Sequence, residues 1–334
     1  MKIKKVVFPA VEKVEYQDHE LDTEAKKPDD LYLKNEFSVV SAGTECALFR
    51  GTESWAKHPI SPGYGAVGTA VSVGEGFADI KEGDMVFTYG NHGSYIKAKR
   101  MILKVPDGLD PKLAVIARMA QVSFTPLRTS DAILGDTVAV IGQGLVGNIA
   151  AQLFANSGCK VIGIDVMDSR LKLAKECGIN YTINAMNENV IENVKEITGG
   201  KMCSTVVEAS GIPDQSDVAA DLAGKKGEVI LVGTPRGAFK GDAVEFLRKI
   251  HLWENGCVTF KGAHEWKYPD KMSPTNDYKI SIEKNIMDYF QLVKGRKLKI
   301  APLISHVADP SDCEEIYEQL NKGNPDYSGV VFKW

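Results

Sequence analysis

The run Val138-Ala139-Val140-Ile141-Gly142-Gln143-Gly144-Leu145-Val146-Gly147 constrains this chain more than any other segment. An apolar stretch of strand character meets a turn with three glycines, and a segment of helical spacing follows. A second apolar run, Val161-Ile162-Gly163-Ile164, then ends in Asp165. Strand, glycine turn, helix, strand and acidic residue in this order are the layout of a dinucleotide site. Gly142 permits the tight turn, Gly144 lets the backbone approach a pyrophosphate, and Gly147 lets helix and strand lie close. The backbone N–H groups of Leu145 and Val146 sit at the positive end of the helix dipole. Asp165 is placed to accept hydrogen bonds from a ribose diol. A second negative group about 4 Å away would cost about 4 kcal/mol at an effective dielectric of 20, so a 2′-phosphate is disfavoured and NAD is expected. Arg170 is the residue that could accommodate such a phosphate; a solvated helix charge is its plainer reading. Ser210, Gly233 and Thr234 follow two further short apolar strands, where ligands of open parallel sheets bind.

A chain of 334 residues suggests about two domains, and 44% hydrophobic with 25% charged residues is ordinary for globular proteins. A net charge of −4 without a basic run argues against nucleic acid or anionic membrane as a partner. No apolar stretch approaches the roughly 20 residues of a membrane span, and the N-terminal segment reads as a first strand, so a cytoplasmic location is expected. Cys46, Cys159, Cys177, Cys203, Cys257 and Cys313 are scattered without a C-x-x-C pair, which reads as reduced, mostly buried thiols.

Residues 1–120 are strand-rich, with β-branched runs broken by glycines, and suggest a small barrel. From Asp136 the rhythm becomes strand–helix–strand–helix, with helices expected over 145–157 and 169–177. The tail carries helical segments at 282–293 and 312–320 and a terminal strand, Val330-Val331-Phe332.

Several stretches together resemble the medium-chain dehydrogenase/reductase superfamily along essentially the whole chain. They include Pro62-Gly63-Tyr64-Gly65-Ala66-Val67-Gly68, Lys81-Glu82-Gly83-Asp84-Met85-Val86, Val207-Glu208-Ala209-Ser210-Gly211 and Leu231-Val232-Gly233-Thr234. The resemblance implies an α/β chain: a GroES-like β-barrel catalytic domain (1–120), a Rossmann domain with a doubly wound parallel sheet that binds NAD (121–266), and a C-terminal segment (267–334) returning to the first domain. It also implies a homodimer formed through the last Rossmann strand.

The departures from the family pattern are informative. In Ser41-Ala42-Gly43-Thr44-Glu45, Ala42 holds the position of a zinc-ligating cysteine. In Gly63-Tyr64-Gly65, Tyr64 and Gly65 replace a His-Glu pair. A catalytic zinc needs three protein ligands, and the four-cysteine structural lobe is missing as well, so no metal is expected. This combination is similar to a zinc-less branch named for the dehydrogenase of bacteriochlorophyllide hydroxyethyl groups; the pigment substrate is not implied.

Without a metal, side chains must polarise a carbonyl and move a proton. The family positions imply Thr44 as a proton-relay hydroxyl and Glu45 as a base or a sugar-hydroxyl acceptor. They also imply Tyr64 as a phenolic donor and His92 as the histidine for proton transfer. The plainer readings are a turn threonine, an ion-paired glutamate, a space-filling tyrosine and a solvated loop histidine. Trp55, Gln121 and His264 are candidate substrate contacts, Trp55 through a loop over the cleft and Gln121 facing the nicotinamide. The expected activity is zinc-independent, NAD-dependent oxidation of a secondary alcohol, or reduction of the ketone, in a polyol, sugar or sugar derivative. The alternatives are a quinone or enoyl C=C reductase and a non-catalytic NAD(P)H-binding protein.

Overall fold

A computed structural model describes residues 1–272 and 279–334. The chain divides into two compact units. The first comprises Met1–Met119, Ile286–Lys294 and Leu303–Trp334, and the second Ala120–Asn285 and Gly295–Pro302.

The first unit opens with a hairpin of β1 (Lys2–Val7) and β2 (Glu15–Glu20). Then come β3 (Leu31–Val39), helix α1 (Ala42–Phe49), β4 (Ala66–Val73), β5 (Met85–Thr88), β6 (Tyr95–Lys97) and β7 (Leu103–Lys104). Two helices follow, α2 (Pro111–Ala114) and α3 (Ala117–Thr129), the latter continuing into the residues of the second unit. Leu31, Leu33, Ala66, Ala70, Val86 and Ile96 point to one side of these strands and form a core. The period of two in Leu31 and Leu33 is what a strand with one buried face requires.

The second unit contains β8 (Thr137–Ile141), α4 (Leu145–Asn156), β9 (Lys160–Asp165), α5 (Asp168–Glu176), β10 (Tyr181–Asn184) and α6 (Val190–Ile197). It continues with β11 (Cys203–Glu208), α7 (Gln215–Leu222), β12 (Ala223–Leu231), α8 (Ala243–His251) and β13 (Thr259–Gly262). Its sheet runs β10-β9-β8-β11-β12-β13, with every pairing parallel. Numbered along the chain this is 3-2-1-4-5-6, the doubly wound order, with its switch point between β8 and β11. Both faces are buried, which explains the unbroken apolar run of β8. Val138 and Val140 enter one core cluster, Ala139 and Ile141 the other. Each such valine or isoleucine contributes about 1.5–3 kcal/mol by leaving water.

The tail supplies α9 (Ile282–Lys294), β14 (His306–Ala308), α10 (Cys313–Asn321) and β15 (Val330–Lys333). β15 pairs antiparallel with β3, placing Val331 opposite Val39, so the last residues complete the first unit's seven-stranded sheet. Phe8 packs edge-on against Phe49 and Tyr317 and ties α1 to α10. The tail does not return as one piece from residue 267, as the sequence suggested. Residues 295–302 stay with the second unit because Gln152 exchanges two hydrogen bonds with the Lys299 backbone, at 2.8 and 3.1 Å.

No helix among the described residues is long and apolar enough to cross a membrane. All six cysteines are free, and Cys46, Cys177, Cys203 and Cys313 are buried. Burial pushes Cys46, Cys177 and Cys313 up to about 11 and Cys203 up to about 12, so these thiols stay protonated and pack as small apolar groups.

Candidate functional site

The glycine turn of the second unit is built as a phosphate cradle requires. Gly142 has φ +91°, a conformation that favours glycine. Gly144 caps α4, and among the described residues nothing lies within 4 Å of where its Cβ would be. Gly147 is the contact point of helix and strand: a Cβ there would lie 1.8 Å from the Gly142 carbonyl oxygen. The first N–H groups of α4, beginning at Leu145 and Val146, are therefore presented beside a backbone with no side chains in the way.

Asp165 ends β9 and is 5% exposed. Its Oδ2 accepts the Gln143 N–H at 2.7 Å and its Oδ1 the Met167 N–H at 3.0 Å. The carboxylate thus holds the glycine turn as well as standing at the strand end, a role the sequence did not disclose. Arg170, on α5, places a guanidinium nitrogen 3.6 Å from Asp165 Oδ2.

At the end of β11, Glu208 accepts the Ser210 and Gly211 N–H groups at 2.7 and 3.1 Å and also the Ser210 hydroxyl. Burial pushes this carboxyl up, and the bonds from Ser210 and Gly211 draw it back. A Cβ on Gly233 would lie 2.3 Å from the Gly211 nitrogen, so the loops after β11 and β12 meet backbone to backbone. Ser210 and Thr234 are exposed there. Gln121 is wholly buried near the start of this unit, and neither atom of its amide has a hydrogen-bond partner among the described residues. A buried amide in that condition is costly unless something else meets it. These glycines, helix N–H groups, strand-end carboxylate and orphaned amide fit a dinucleotide.

The first unit holds a second polar cluster, buried around α1. Ser41 to Glu45 opens that helix, so Thr44 lies on a helix and not in a turn. Glu45 is fully buried; its Oε1 accepts the Ser41 N–H at 2.7 Å. Its Oε2 meets His92 Nε2 at 3.0 Å and the Tyr317 hydroxyl at 2.5 Å. His92 is 0% exposed, and its Nδ1 lies 2.8 Å from the Ser38 hydroxyl, which also accepts the Trp334 indole N–H at 2.8 Å. His92 Nε2 donates to the Glu45 carboxylate, and the Ser38 hydroxyl and Trp334 indole close the network on the Nδ1 side. Tyr317, pushed well above its ordinary value by burial and by Glu45, donates to the same carboxylate. A loop histidine in solvent is thereby ruled out. The expectation that His92 itself exchanges a proton with a substrate does not suit a ring enclosed on all sides with both nitrogens engaged.

Tyr64 stands beside this network. Burial raises its phenol, while Arg118 and the nearby Ser41 and Thr44 hydroxyls pull it down. The Arg118 guanidinium carbon lies 4.3 Å from the Tyr64 ring centroid and 4.6 Å from that of Tyr89. The glycines flanking Tyr64 make room for this arrangement. A Cβ on Gly63 would lie 2.7 Å from the His92 nitrogen, and one on Gly65 2.5 Å from the Arg118 Cβ. Arg118, Tyr317, Ser38 and Trp334 were not singled out from the sequence. The one available signal was Gly65, a glycine where the family pattern places a large acidic side chain.

The donor set does not suit zinc. Ala42 and Gly65 offer no ligand atom, Glu45 and His92 are committed to each other, and a cation already sits on Tyr64. Among the described residues no group of three or more His, Cys, Asp or Glu side chains is arranged to hold an ion.

Of the remaining expected residues, Trp55 is 69% exposed in a loop of the first unit, its indole N–H bonded to Glu53 at 3.1 Å. His264 is exposed on the second unit, where its Nδ1 accepts the Trp266 N–H at 3.3 Å and caps the turn 265–267.

Comparison with known proteins agrees with this geometry. Residues 146–267 match the family described as zinc-binding dehydrogenase. The chain is 26% identical over 330 residues to an uncharacterized zinc-type alcohol dehydrogenase-like protein of Haemophilus influenzae, covering 89% of this chain and 92% of that one. It is also 26% identical to the D-guloside 3-dehydrogenase of Escherichia coli, covering 80% and 76%. The structure superposes on galactitol-1-phosphate dehydrogenase from Escherichia coli with TM-score 0.82 at 20% identity, covering 99% and 100%. The fold is that of these dehydrogenases, with GroES-like and Rossmann parts. Over most of its length the chain is similar to zinc-type alcohol dehydrogenase-like proteins.

Proposed function

We propose that this protein is a zinc-independent, NAD-dependent oxidoreductase that interconverts a secondary alcohol and its ketone in a polyol, sugar or sugar derivative. The single observation that carries the reading is the combination of a complete dinucleotide cradle with a buried polar cluster built over lost metal-ligand positions. When bound, NAD supplies a hydride acceptor and NADH a hydride donor. The second unit binds it: Gly142, Gly144 and Gly147 shape the turn, the Leu145 and Val146 N–H groups meet the pyrophosphate, and Asp165 takes the ribose diol. Ser210, Gly233 and Thr234 line the strand ends, and the orphaned Gln121 amide meets the nicotinamide side.

In the first unit Tyr64 is the proton donor to the carbonyl oxygen. Its raised phenol is held in the protonated form that such donation needs. Thr44 relays the replacement proton. Glu45 holds α1 by accepting the Ser41 N–H, and His92 acts through Glu45 as a positioning residue. Trp55 offers an exposed ring to the apolar face of a sugar, and His264 has its Nε2 left for a hydroxyl. The D-guloside relative supports a carbohydrate hydroxyl as the reacting group. Reduction of an activated C=C bond is less favoured, because the Thr44–Glu45 motif is retained.

The test is a fluorescence titration of chelator-treated protein with NADH and NADPH, followed by a screen of polyols and sugars for NAD reduction. NADH binding with turnover of at least one polyol supports the reading. Binding without turnover of any alcohol points to the non-catalytic alternative.

Asp165→Ala is expected to narrow the preference for NADH over NADPH by about tenfold or more, since it removes a charge that repels a 2′-phosphate and releases Arg170 to meet one. The ratio of the two dissociation constants is the measurement, because it cancels any general loosening of the turn. An unchanged ratio contradicts the ribose assignment.

A homodimer through the edge strand β13 is also proposed. Within the described chain β13 pairs only with β12, and nearby α8 exposes Val244 and Leu247. Light scattering at twice the 36.4-kDa chain mass supports it, and the single-chain mass contradicts it.

A further inference from the structure

We propose that Glu208 is a positioning residue for the dinucleotide: its ionised carboxylate locks the loops after β8, β11 and β12 together, so cofactor affinity depends on its charge. The inference rests on the dinucleotide reading given above and deepens it. All the residues involved lie in the second unit.

Glu208 is the last residue of β11 and is 2% exposed. Its Oε1 accepts the Ser210 N–H at 2.7 Å, the Gly211 N–H at 3.1 Å and the Ser210 hydroxyl, and its Oε2 lies 3.2 Å from the same Gly211 nitrogen. Its backbone carbonyl accepts the Val232 and Gly233 N–H groups, both at 3.0 Å. One residue therefore ties the loop after its own strand to the loop after β12. The three loops are in close backbone contact. A Cβ on Gly211 would lie 2.6 Å from the Thr234 carbonyl oxygen, and one on Gly142 3.1 Å from the Ser210 nitrogen. A small shift of Ser210 and Gly211 thus presses on the Gly142 turn on one side and on Thr234 on the other.

N–H bonds to a charged acceptor are roughly twice as strong as bonds to a neutral one. A proton on the carboxyl removes that charge and meets a donor on either oxygen, since both face the Gly211 N–H. The loop then loses what holds it, and Ser210, Gly233 and Thr234 no longer stand where the cradle needs them.

Burial and the bonds from Ser210 and Gly211, rather than a neighbouring charge, set this ionisation, and the balance leaves the carboxyl above its ordinary value. β8 and α4 bring no titratable side chain to it. Asp217 and Asp221 of α7 are paired with Lys249, Glu228 of β12 is paired with Lys261, and Asp214 accepts the Lys240 N–H. Lys225 and Lys226, at the opposite end of β12, stand over Trp253. Arg236, in the loop after β12, donates its backbone N–H to the Gly211 carbonyl. A dinucleotide that selects the ionised form binds fully above the folded value of Glu208 and loses affinity as pH falls through it.

The test is calorimetric titration of the full-length protein with ADP-ribose, the acid-stable part of the cofactor, from about pH 8 to about pH 5. Wild type is expected to lose about tenfold in affinity over that range and to release a proton on binding in its lower part. Glu208→Gln keeps the shape without the charge. It is expected to bind about tenfold more weakly than wild type at the alkaline end, and the two curves should converge at the acid end, where both side chains are neutral. Ser210→Ala removes one of the bonds that draw the carboxyl down, so its loss of affinity should begin at higher pH than in wild type, a shift that a merely structural role would not give. Parallel or coincident curves for wild type and Glu208→Gln overturn the inference and leave the dinucleotide reading standing. Should Glu208→Gln fail to fold, a Ser210→Ala curve with an unshifted midpoint overturns it in the same way. Wild type that binds no ADP-ribose at any pH removes the dinucleotide reading, and the inference with it.

Discussion

Gly147→Ala is expected to cost about 3 kcal/mol of stability and to weaken NADH binding by at least about tenfold. The added Cβ would sit 1.8 Å from the Gly142 carbonyl oxygen, a backbone atom that cannot rotate away. Relief requires α4 to retreat from β8, which breaks packing on the switch-point side of the sheet and moves the helix N-terminus off its anion. Gly144→Ala separates the two effects. Among the described residues nothing lies within 4 Å of that Cβ, and Gly144 has φ −65°, so the fold tolerates alanine while a pyrophosphate approaching the backbone would not. Thermal unfolding and NADH titration of both variants form the check. A Gly147→Ala protein with wild-type stability contradicts the close helix–strand contact. A Gly144→Ala protein with wild-type affinity contradicts the phosphate cradle.

Glu45→Ala is expected to destabilise the first unit by about 4 kcal/mol or more. It removes the acceptor for three buried donors at once: the Ser41 N–H, His92 Nε2–H and the Tyr317 hydroxyl. A buried donor left unpaired costs about 1–3 kcal/mol, and the three lie too deep for water to replace the carboxylate readily. Glu45→Gln is expected to cost only about 1–2 kcal/mol. Its oxygen still serves Ser41, and the network can invert, the amide donating to His92 Nε2 once the imidazole proton moves to Nδ1 and meets Ser38. Urea unfolding of the two variants measures the difference. Equal, small losses would show that the cluster is not the continuous network the distances describe.

The second unit was legible in the sequence because its signals are local. A glycine turn between an apolar strand and an apolar helix can be satisfied in few ways, and β8, α4, β9 and β11 lie within a residue or two of where the pattern puts them. Elements whose side chains stay in solvent carried weaker signals. β2, with the sequence Glu-Tyr-Gln-Asp-His-Glu, has no apolar alternation, and α8 buries none of its residues. The first unit's site was half visible. Ala42, Tyr64 and Gly65 carried the expectation that metal ligands are missing. Nothing local disclosed what replaced them, because Arg118 enters from α3, Tyr317 from α10 and Trp334 from the last residue. The value of Gly63 and Gly65 lies in the side chains they admit, His92 and Arg118, and only the folded chain brings those together.

Hydride transfer to and from an alcohol without a metal must survive removal of every divalent ion. The most direct measurement is the steady-state turnover of a neutral polyol by protein dialysed against a strong chelator, with its zinc content determined on the same sample. Unchanged kcat is expected at less than about one zinc per hundred chains, with no stimulation on adding zinc. Turnover that disappears with the metal and returns with zinc would contradict it.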